Sequence, residues 1–143
     1  MIKLFIALAI SLFLSACDDD NSTAQAKVNA NNNNHESAKF VCNNGNVTTE
    51  CDITAGDQLG SGKWRHAKLN LSGSDASLNI DGEMFAKTDV KSDFVDGARV
   101  TDFELKSAKG SRAEINLERS NSGSRMRVNA WNADGKLMLT SNR

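Results

Sequence analysis

The sequence predicts an all-β domain, a small antiparallel barrel or meander of about eight strands, which follows a signal peptide and a flexible tether. Short segments in which apolar and polar residues alternate recur from residue 68 onward, as expected of strands with one buried face. Dipeptides typical of tight turns lie between and before them: Asn44-Gly45, Ser72-Gly73, Asp81-Gly82, Asp96-Gly97, Lys109-Gly110, Ser122-Gly123 and Asp134-Gly135. Connections this short join antiparallel strands, because a parallel pair needs a much longer crossover.

The alternation is clearest in residues 112–118. Ala113, Ile115 and Leu117 fall on one face there, and charged or polar side chains fall on the other. The other alternating segments are 68–71, 76–80, 101–106, 125–130 and 136–139. Closing such a sheet into a barrel removes its exposed edge strands. No segment of the mature chain shows a sustained helical period.

Residues 1–16 have the three parts of a secretory signal peptide. Lys3 supplies the positive charge, an apolar run fills 4–14, and small residues precede the cut. The apolar run is too short to span a bilayer comfortably. Leu14-Ser15-Ala16-Cys17 resembles the lipobox of bacterial lipoproteins. This resemblance implies that Cys17 is acylated and becomes the mature N-terminus, and several acyl chains on one cysteine hold a protein on a membrane.

Residues 17–38 are interpreted as the lipidated cysteine followed by a disordered tether. Asp18 resembles the signal that retains enterobacterial lipoproteins at the inner membrane, which implies a periplasm-facing protein, with the outer membrane as the alternative. Mostly Asp, Asn, Ser, Ala and Thr follow, including four consecutive Asn at 31–34. Such a composition buries too little apolar surface to offset the entropy of ordering. A flexible coil of this length has an r.m.s. reach of about 25 Å.

Composition argues against several classes of function. Lys and Arg number 17 against 18 Asp and Glu, so we expect no nucleic-acid partner. The charge is nevertheless uneven, with a net −3 over 39–98 and +4 over 99–143. With only two His and three Cys, we expect no metal site and no cofactor apart from the lipid on Cys17. Gly60-Ser61-Gly62 lacks the spacing of the G-x-S-x-G nucleophile motif, so we predict no catalytic residues and a protein that is not an enzyme.

The domain at 39–143 contains two further cysteines, Cys42 and Cys51. An even pair in an oxidising compartment favours a disulfide. A two-residue hairpin turn at Asn44-Gly45 would instead place Cys42 opposite Val47 and leave Cys51 about 13 Å further along the strand. A disulfide needs Cα atoms within about 7 Å, so the two alternatives exclude each other. The disulfide is the favoured alternative.

Both tryptophans fall on the polar face of their strands, if those strands are regular. Trp64 has the parity opposite to the apolar residues of 63–71, and Trp131 shares the parity of Arg125 and Arg127. An exposed tryptophan beside arginine is typical of an interface, so these four residues are candidates for binding a partner. The alternative is a strand-end tryptophan folded over the barrel mouth, or a bulge that reverses the parity.

Four segments carry a further resemblance, and they occur in order over about residues 40–115. They are Phe40-Val41-Cys42-Asn43-Asn44-Gly45, the hairpin at 76–85, Asp96-Gly97-Ala98-Arg99-Val100, and Lys109-Gly110-Ser111-Arg112-Ala113-Glu114-Ile115. Together they resemble the membrane-bound and periplasmic inhibitors of c-type lysozyme. These inhibitors are small antiparallel barrels, often lipoproteins, with an aromatic-x-Cys-x-x-Gly opening, a Ser-Gly-Ala-Arg-Tyr loop and a Lys-Gly-x-x-Ala-x-aliphatic strand.

The resemblance implies that a loop serine and a lysine reach the catalytic carboxylates of a lysozyme. Lys109 matches that lysine. Asp96 stands at the serine position, where a carboxylate would repel other carboxylates, and Val100 stands at the aromatic position. Cys51 replaces the late cysteine of the family. We therefore include Lys109, Asp96 and Arg99 among the candidate partner-binding residues.

The sequence thus predicts a membrane-anchored, periplasm-facing lipoprotein that acts as a binding or inhibitory module, against a lysozyme or another cell-wall hydrolase. One alternative is an immunity or entry-exclusion lipoprotein that neutralises an incoming toxin or transfer apparatus. Another is an accessory subunit of an envelope complex, held through Trp64 and Trp131. All three functions require a protein partner in the periplasm and an anchor in the membrane.

Overall fold

A computed structural model describes residues 36–143 and confirms the all-β fold, with nine antiparallel strands. The strands are β1 (Lys39–Asn44), β2 (Thr48–Gly56), β3 (Trp64–Ser72), β4 (Asp75–Ile80), β5 (Glu83–Val95), β6 (Ala98–Ser107), β7 (Arg112–Ser120), β8 (Gly123–Trp131) and β9 (Leu137–Asn142). Their order in the sheet is their order in the chain, so the fold is a meander. Residues 36–143 contain no helix long and apolar enough to cross a membrane.

Several predictions concern residues outside the described range. They are the signal peptide at 1–16, the lipidation of Cys17, the sorting role of Asp18 and the tether as far as residue 35. Residues 36–38 are described; they are exposed and belong to no strand.

The turns follow the glycine-containing dipeptides of the sequence. In Asp81-Gly82 and Asp96-Gly97 both residues have positive φ, with values of 49° and 89° in the first turn and 50° and 80° in the second. This is the type I′ geometry, whose twist matches that of the flanking strands, and aspartate and glycine adopt it most readily. Each of these turns therefore fixes the register of a two-residue hairpin.

The disulfide alternative for Cys42 and Cys51 is confirmed. Gly45 donates its N–H to the carbonyl of Thr48 over 2.7 Å, inside a loop wider than a two-residue turn. Cys42 consequently lies directly opposite Cys51, and not opposite Val47. The two Cα atoms are 4.0 Å apart and the sulfurs are bonded. In the chain-entropy model, closing a loop of this size stabilises the folded state by about 2.5–3 kcal/mol.

The sheet curls into a nearly closed barrel around one apolar core. β2 and β9 approach each other, and Gln58 just after β2 donates its N–H to the carbonyl of Met138 in β9 over 3.1 Å. Alternate residues of the strands point inward, which is why the polar-apolar alternation was visible in the sequence. The largest fully buried side chains are Phe85, Phe103, Ile53, Leu69, Leu78, Leu105, Ile115, Leu139 and Val128.

The meander gives the barrel two distinct ends. The end where the chain enters β1 carries the loops 57–63, 81–82, 108–111 and 132–136, and we call it the entry end. The opposite end carries the loops 45–47, 73–74, 96–97 and 121–122, and we call it the distal end. Functional residues must therefore be assigned to one end or the other before they can be combined into a site.

Candidate functional site at the distal end

The candidate partner-binding residues do not form one surface. Trp64 begins β3 and Trp131 ends β8, so both lie at the entry end, whereas Arg125 lies near the distal end of β8. Arg127 lies between them on the outward face of β8. The predicted face that combines both tryptophans with the arginines is therefore divided along the length of a strand.

The residues aligned with the lysozyme inhibitors are divided in the same way. Asp96 and Arg99 lie at the distal end, and Lys109 lies in the turn after β6 at the entry end. β6 has 10 residues, which separates these turns by about 30 Å. The structure therefore does not bring Asp96 and Lys109 together, and a single narrow cleft cannot receive both.

An ion-pair network closes one side of the entry end. Arg65 donates Nε to Asp57 over 2.8 Å and Nη1 to Asp81 over 3.1 Å, which joins the β2–β3 loop to the β4–β5 turn. Asp57 also accepts the N–H of Ser61 over 3.0 Å, and its side chain is fully shielded from solvent. Hydrogen bonds from Ser61 and the ion pair with Arg65 hold the pKa of Asp57 well below its usual range, against the effect of burial.

A second network lies next to the first at the entry end and joins the start of β5 to the β6–β7 turn. The hydroxyl of Ser107 donates to Glu83 over 2.6 Å and accepts the N–H groups of Lys109 and Ser111, each over 3.2 Å. Burial would raise the pKa of Glu83, but the hydroxyls of Ser107 and Ser111 lower it. The hydroxyl of Ser107 thus holds the β6–β7 turn, with Lys109 exposed at its tip.

The tryptophans confirm the predicted parity but are only half-exposed. Trp131 follows a register shift at the end of β8, and the guanidinium of Arg112 lies over its ring at 4.1 Å from the centroid. That stacking is an intramolecular cation–π contact. Trp64 pairs with Gly56 at the edge of the same end. Both tryptophans therefore lie at strand ends with the outward parity that the sequence predicted, and each is half-exposed.

The distal end carries a different set of groups, arranged in one row across four strands. Phe94 of β5 lies directly opposite Arg99 of β6, Arg99 opposite Arg119 of β7, and Arg119 opposite Ser124 of β8. All four share the inward parity of the strands but lie beyond the core, and all four are exposed. We call Phe94, Arg99, Arg119 and Ser124 the distal row. It faces the concave side of the sheet.

A recess of about 490 Å³ opens beside the distal row. Leu117 and Met126, both buried, contribute its apolar lining. Its other lining residues are Asn44, Gly45, Thr49, Arg119, Ser124, Arg125 and Arg143. The recess therefore has an apolar part surrounded by guanidinium, amide and hydroxyl groups, and its volume lies within the range of known ligand sites.

The arginines of the distal end lack ionic partners. Within residues 36–143, no carboxylate oxygen of Asp or Glu lies within the 4.0 Å ion-pair distance of a guanidinium nitrogen of Arg99, Arg119, Arg125 or Arg143. Glu118 lies directly opposite Arg125 in the β7–β8 pair, and Asp93 and Asp96 lie in the β5–β6 hairpin, each beyond ion-pair distance of these arginines. Two like charges directly opposite on neighbouring strands destabilise a sheet, so the Arg99–Arg119 pair has an energetic cost that folding alone does not explain.

Exposed apolar side chains accompany these charges. Phe94 is 67% exposed and Val95 49% exposed at the tip of the β5–β6 hairpin, and Val47 is 78% exposed in the β1–β2 loop. Aromatic side chains and arginine are the residues most enriched where proteins bind one another. The distal end combines both kinds of group, and Arg119 and Ser124 of the distal row also line the recess.

Sequence reasoning identified Arg99 and Arg125 of this site but not Phe94, Arg119 or Arg143. Arg119 could have been oriented from sequence, because it continues the odd-numbered apolar face of Ile115 and Leu117. Its position opposite Arg99 depends on the β6–β7 register, which a single sequence does not fix. Phe94 lies in a segment without alternation and gave no comparable signal.

Comparison of the chain with protein-family models, with curated proteins and with solved structures gives no match.

Proposed function

We propose that this protein is a lipid-anchored, periplasm-facing lipoprotein whose all-β domain binds a protein partner at its distal end and thereby blocks or neutralises it. The signal peptide and the lipobox-like Leu14-Ser15-Ala16-Cys17 support the anchor. The observation that supports the binding role is the distal row, where two adjacent arginines without ionic partners lie beside an exposed phenylalanine.

The contrast between the two ends favours the distal end as the binding surface. At the entry end Arg65 contacts two carboxylates, and Arg112 contacts both Glu114 and the ring of Trp131. These guanidiniums already have partners within the domain. The distal arginines do not, so an incoming partner gains their full interaction without first breaking internal contacts.

The distal surface suits the neutralisation of an acidic toxin or the inhibition of an acidic hydrolase better than it suits the inhibition of a lysozyme. Positive charge at the distal end would repel a cationic lysozyme, and it favours an acidic partner such as a toxin or a hydrolase with an acidic surface. An accessory role in an envelope complex would use the same acidic complementarity.

A retention experiment tests the proposal. The buried core lies between Cys51 and Leu139, so a soluble form comprising residues 21–143 retains the complete fold. Immobilised protein is incubated with periplasmic extract, and retained proteins are identified by mass spectrometry. We expect Phe94→Ser to reduce retention of the partner about tenfold, because truncating a central aromatic in an interface costs at least 1–2 kcal/mol.

Met84→Ser is the matched control, because Met84 is 58% exposed but belongs to the entry end. It should leave retention unchanged. Equal losses in both variants, or a partner retained equally by the wild type and Phe94→Ser, would rule out the distal end as the binding surface. No specific partner from the source periplasm would contradict the binding role itself.

Lysozyme inhibition is retained as a second candidate because Lys109 projects from a rigid, exposed turn. The same soluble protein is added to a c-type lysozyme, and hydrolysis of cell walls is measured. Inhibition that Lys109→Ala abolishes and Phe94→Ser leaves intact would transfer the inhibitory role to the entry end. An absence of inhibition would contradict this second candidate and would not affect the distal proposal.

A further inference from the structure

We infer that the distal end holds a short, extended, acidic segment of the partner protein, with carboxylates seated on Arg99 and Arg119. This inference rests on the proposed function and specifies the chemistry of the partner. It reverses the arrangement of the lysozyme inhibitors, in which the inhibitor supplies a cation to carboxylates of the enzyme. Here the lipoprotein supplies the receptor for carboxylates that the partner inserts.

The first argument is the spacing of the two guanidiniums. Residues directly opposite on neighbouring strands have Cβ atoms about 5 Å apart, so Arg99 and Arg119 present two planar forks side by side on the concave face. Guanidinium forks match carboxylates with two parallel hydrogen bonds. An anion placed between them removes the like-charge repulsion, which provides a physical reason for keeping the pair.

The second argument is the length of the site. The distal row crosses four strands, and three strand spacings of about 4.8 Å give about 14 Å from Phe94 to Ser124. One phosphate or carboxylate cannot occupy that length. An extended peptide covers it with about four residues, at 3.3 Å each. Arg125 and Arg143 continue the positive lining beyond Ser124.

The third argument is the shape of the surface. Arg119 lines a recess whose apolar part is formed by Leu117 and Met126, so this cation is set back from the tips of the hairpins. A flat bilayer surface cannot enter a recess, whereas a loop of a protein can. An apolar side chain flanking the carboxylates would contact Leu117, Met126 or the exposed ring of Phe94. The observations therefore favour an acidic peptide over an anionic membrane surface.

The test uses a fluorescently labelled hexaglutamate peptide and the soluble form comprising residues 21–143, at constant ionic strength. We expect saturable binding, measured by fluorescence anisotropy, that Arg99→Gln combined with Arg119→Gln weakens at least about tenfold. The double variant Lys68→Gln with Lys106→Gln removes the same charge from exposed outward positions and should change the affinity less than about twofold.

Thermal unfolding provides a second readout that is independent of the partner. Without peptide, Arg119→Gln should unfold at a temperature equal to or above that of the wild type, because it removes the Arg99–Arg119 repulsion. Saturating peptide should raise the Tm of the wild type and leave the Tm of the variant unchanged. Arg119→Gln alone also tests the inference if the double variant does not fold.

Four results would overturn the inference. Equal weakening in both double variants would show that only net charge matters. Inorganic phosphate that binds as tightly as hexaglutamate would indicate a small-anion site. Binding to vesicles of phosphatidylglycerol with no binding to the peptide would indicate a lipid surface. If the Arg99→Gln, Arg119→Gln protein retains the periplasmic partner as well as the wild type does, this inference fails while the proposed function stands. Peptide binding without any retained partner would contradict the proposed function while leaving the distal end as a site for acidic peptides.

Discussion

Arg65 and Arg119 show how the neighbours of a guanidinium determine what it contributes. Arg65 lies between Asp57 and Asp81 and joins two loops of the entry end. Arg119 faces Arg99 and no carboxylate within the described residues. Partly shielded ion pairs with good geometry stabilise a fold, whereas unpaired charges at a recess remain available to a ligand. The same residue type is therefore structural at one end and a candidate binding group at the other.

The pH dependence of stability provides the first prediction at this scale. Asp57 has a lowered pKa in the folded state, so its contribution is complete above the unfolded value of about 3.9 and is lost as pH falls from there through the native pKa. We expect the Tm of the wild type to decrease as the pH is lowered below about 4. Asp57→Asn should lower the Tm at pH 7 by roughly 5–15 °C and flatten this acid dependence. Differential scanning calorimetry from pH 2 to pH 7 measures both effects.

Asp52→Asn is the control for this experiment, because Asp52 is an exposed residue on the outward face of β2. It should leave both the neutral Tm and the acid slope close to those of the wild type, since exposed substitutions rarely change stability by more than about 0.5 kcal/mol. If Asp57→Asn had the acid slope of the wild type, Asp57 would not be the group responsible.

β5 is the element that determines the shape of the distal end. β4 pairs only with Glu83–Ala86 of β5, and a register shift between Lys87 and Asp89 precedes the rest of the strand. From Asp89 to Val95 the strand therefore pairs with β6 alone and has a free edge. The two-residue turn at 96–97 makes Val95–Ala98 a hydrogen-bonded pair. Hydrogen-bonded and non-hydrogen-bonded pairs then alternate along the ladder, and Val90 and Phe94 belong to non-hydrogen-bonded pairs. Their N–H groups therefore point away from β6, toward the free edge.

Two aspartates protect this edge. The Val90 N–H donates to the carboxylate of Asp89 over 2.9 Å, and the Phe94 N–H donates to the carboxylate of Asp93 over 2.7 Å. An unprotected edge strand pairs with other chains. We predict that Asp89→Ala combined with Asp93→Ala increases self-association, detected by analytical ultracentrifugation as a higher weight-average mass than the wild type at the same concentration.

Asp52→Ala removes a carboxylate from the paired strand β2 and should remain at the mass of the wild type. An unchanged mass for the double variant would mean that the twist of the hairpin, and not its aspartates, keeps the edge from pairing. The comparison thus separates the hydrogen bonds at the edge from its geometry.

β5 also shows where sequence reasoning reached its limit. The strands β3, β4 and β6 to β9 were predictable from alternation, as in the inward series Ala113, Ile115 and Leu117 of β7. In β5 the register shift reverses the parity, and after it only Val90 is partly buried, so no alternation exists to detect. The distal row was not predicted as a unit, because it depends on the cross-strand register and lies beyond the alternating core.

At the scale of the whole molecule, the chain enters the domain at the end opposite the candidate binding surface. β1 begins at Lys39 on the entry end and is tied to β2 by the Cys42–Cys51 disulfide. The Asp57–Arg65–Asp81 and Glu83–Ser107 networks link the loops of the entry end, and the distal end has a recess lined by Arg119, Arg125 and Arg143. The start of β1 and the proposed binding surface therefore lie at opposite ends of the barrel.

Anchoring through Cys17 is the prediction that applies to the whole molecule. In the full chain expressed in its source bacterium, we expect Cys17 to incorporate a palmitate analogue and to hold the protein in the membrane fraction even at high salt, because each buried CH₂ contributes about 0.8 kcal/mol. Cys17→Ser should lose the label and leave the membrane fraction.

Cys42→Ser combined with Cys51→Ser should keep the label, because those residues form the disulfide. Asp18→Ser should also keep the label but move the protein from the inner-membrane fraction to the outer-membrane fraction on a density gradient. A Cys17→Ser protein that remained salt-resistant in the membrane fraction would contradict lipid anchoring.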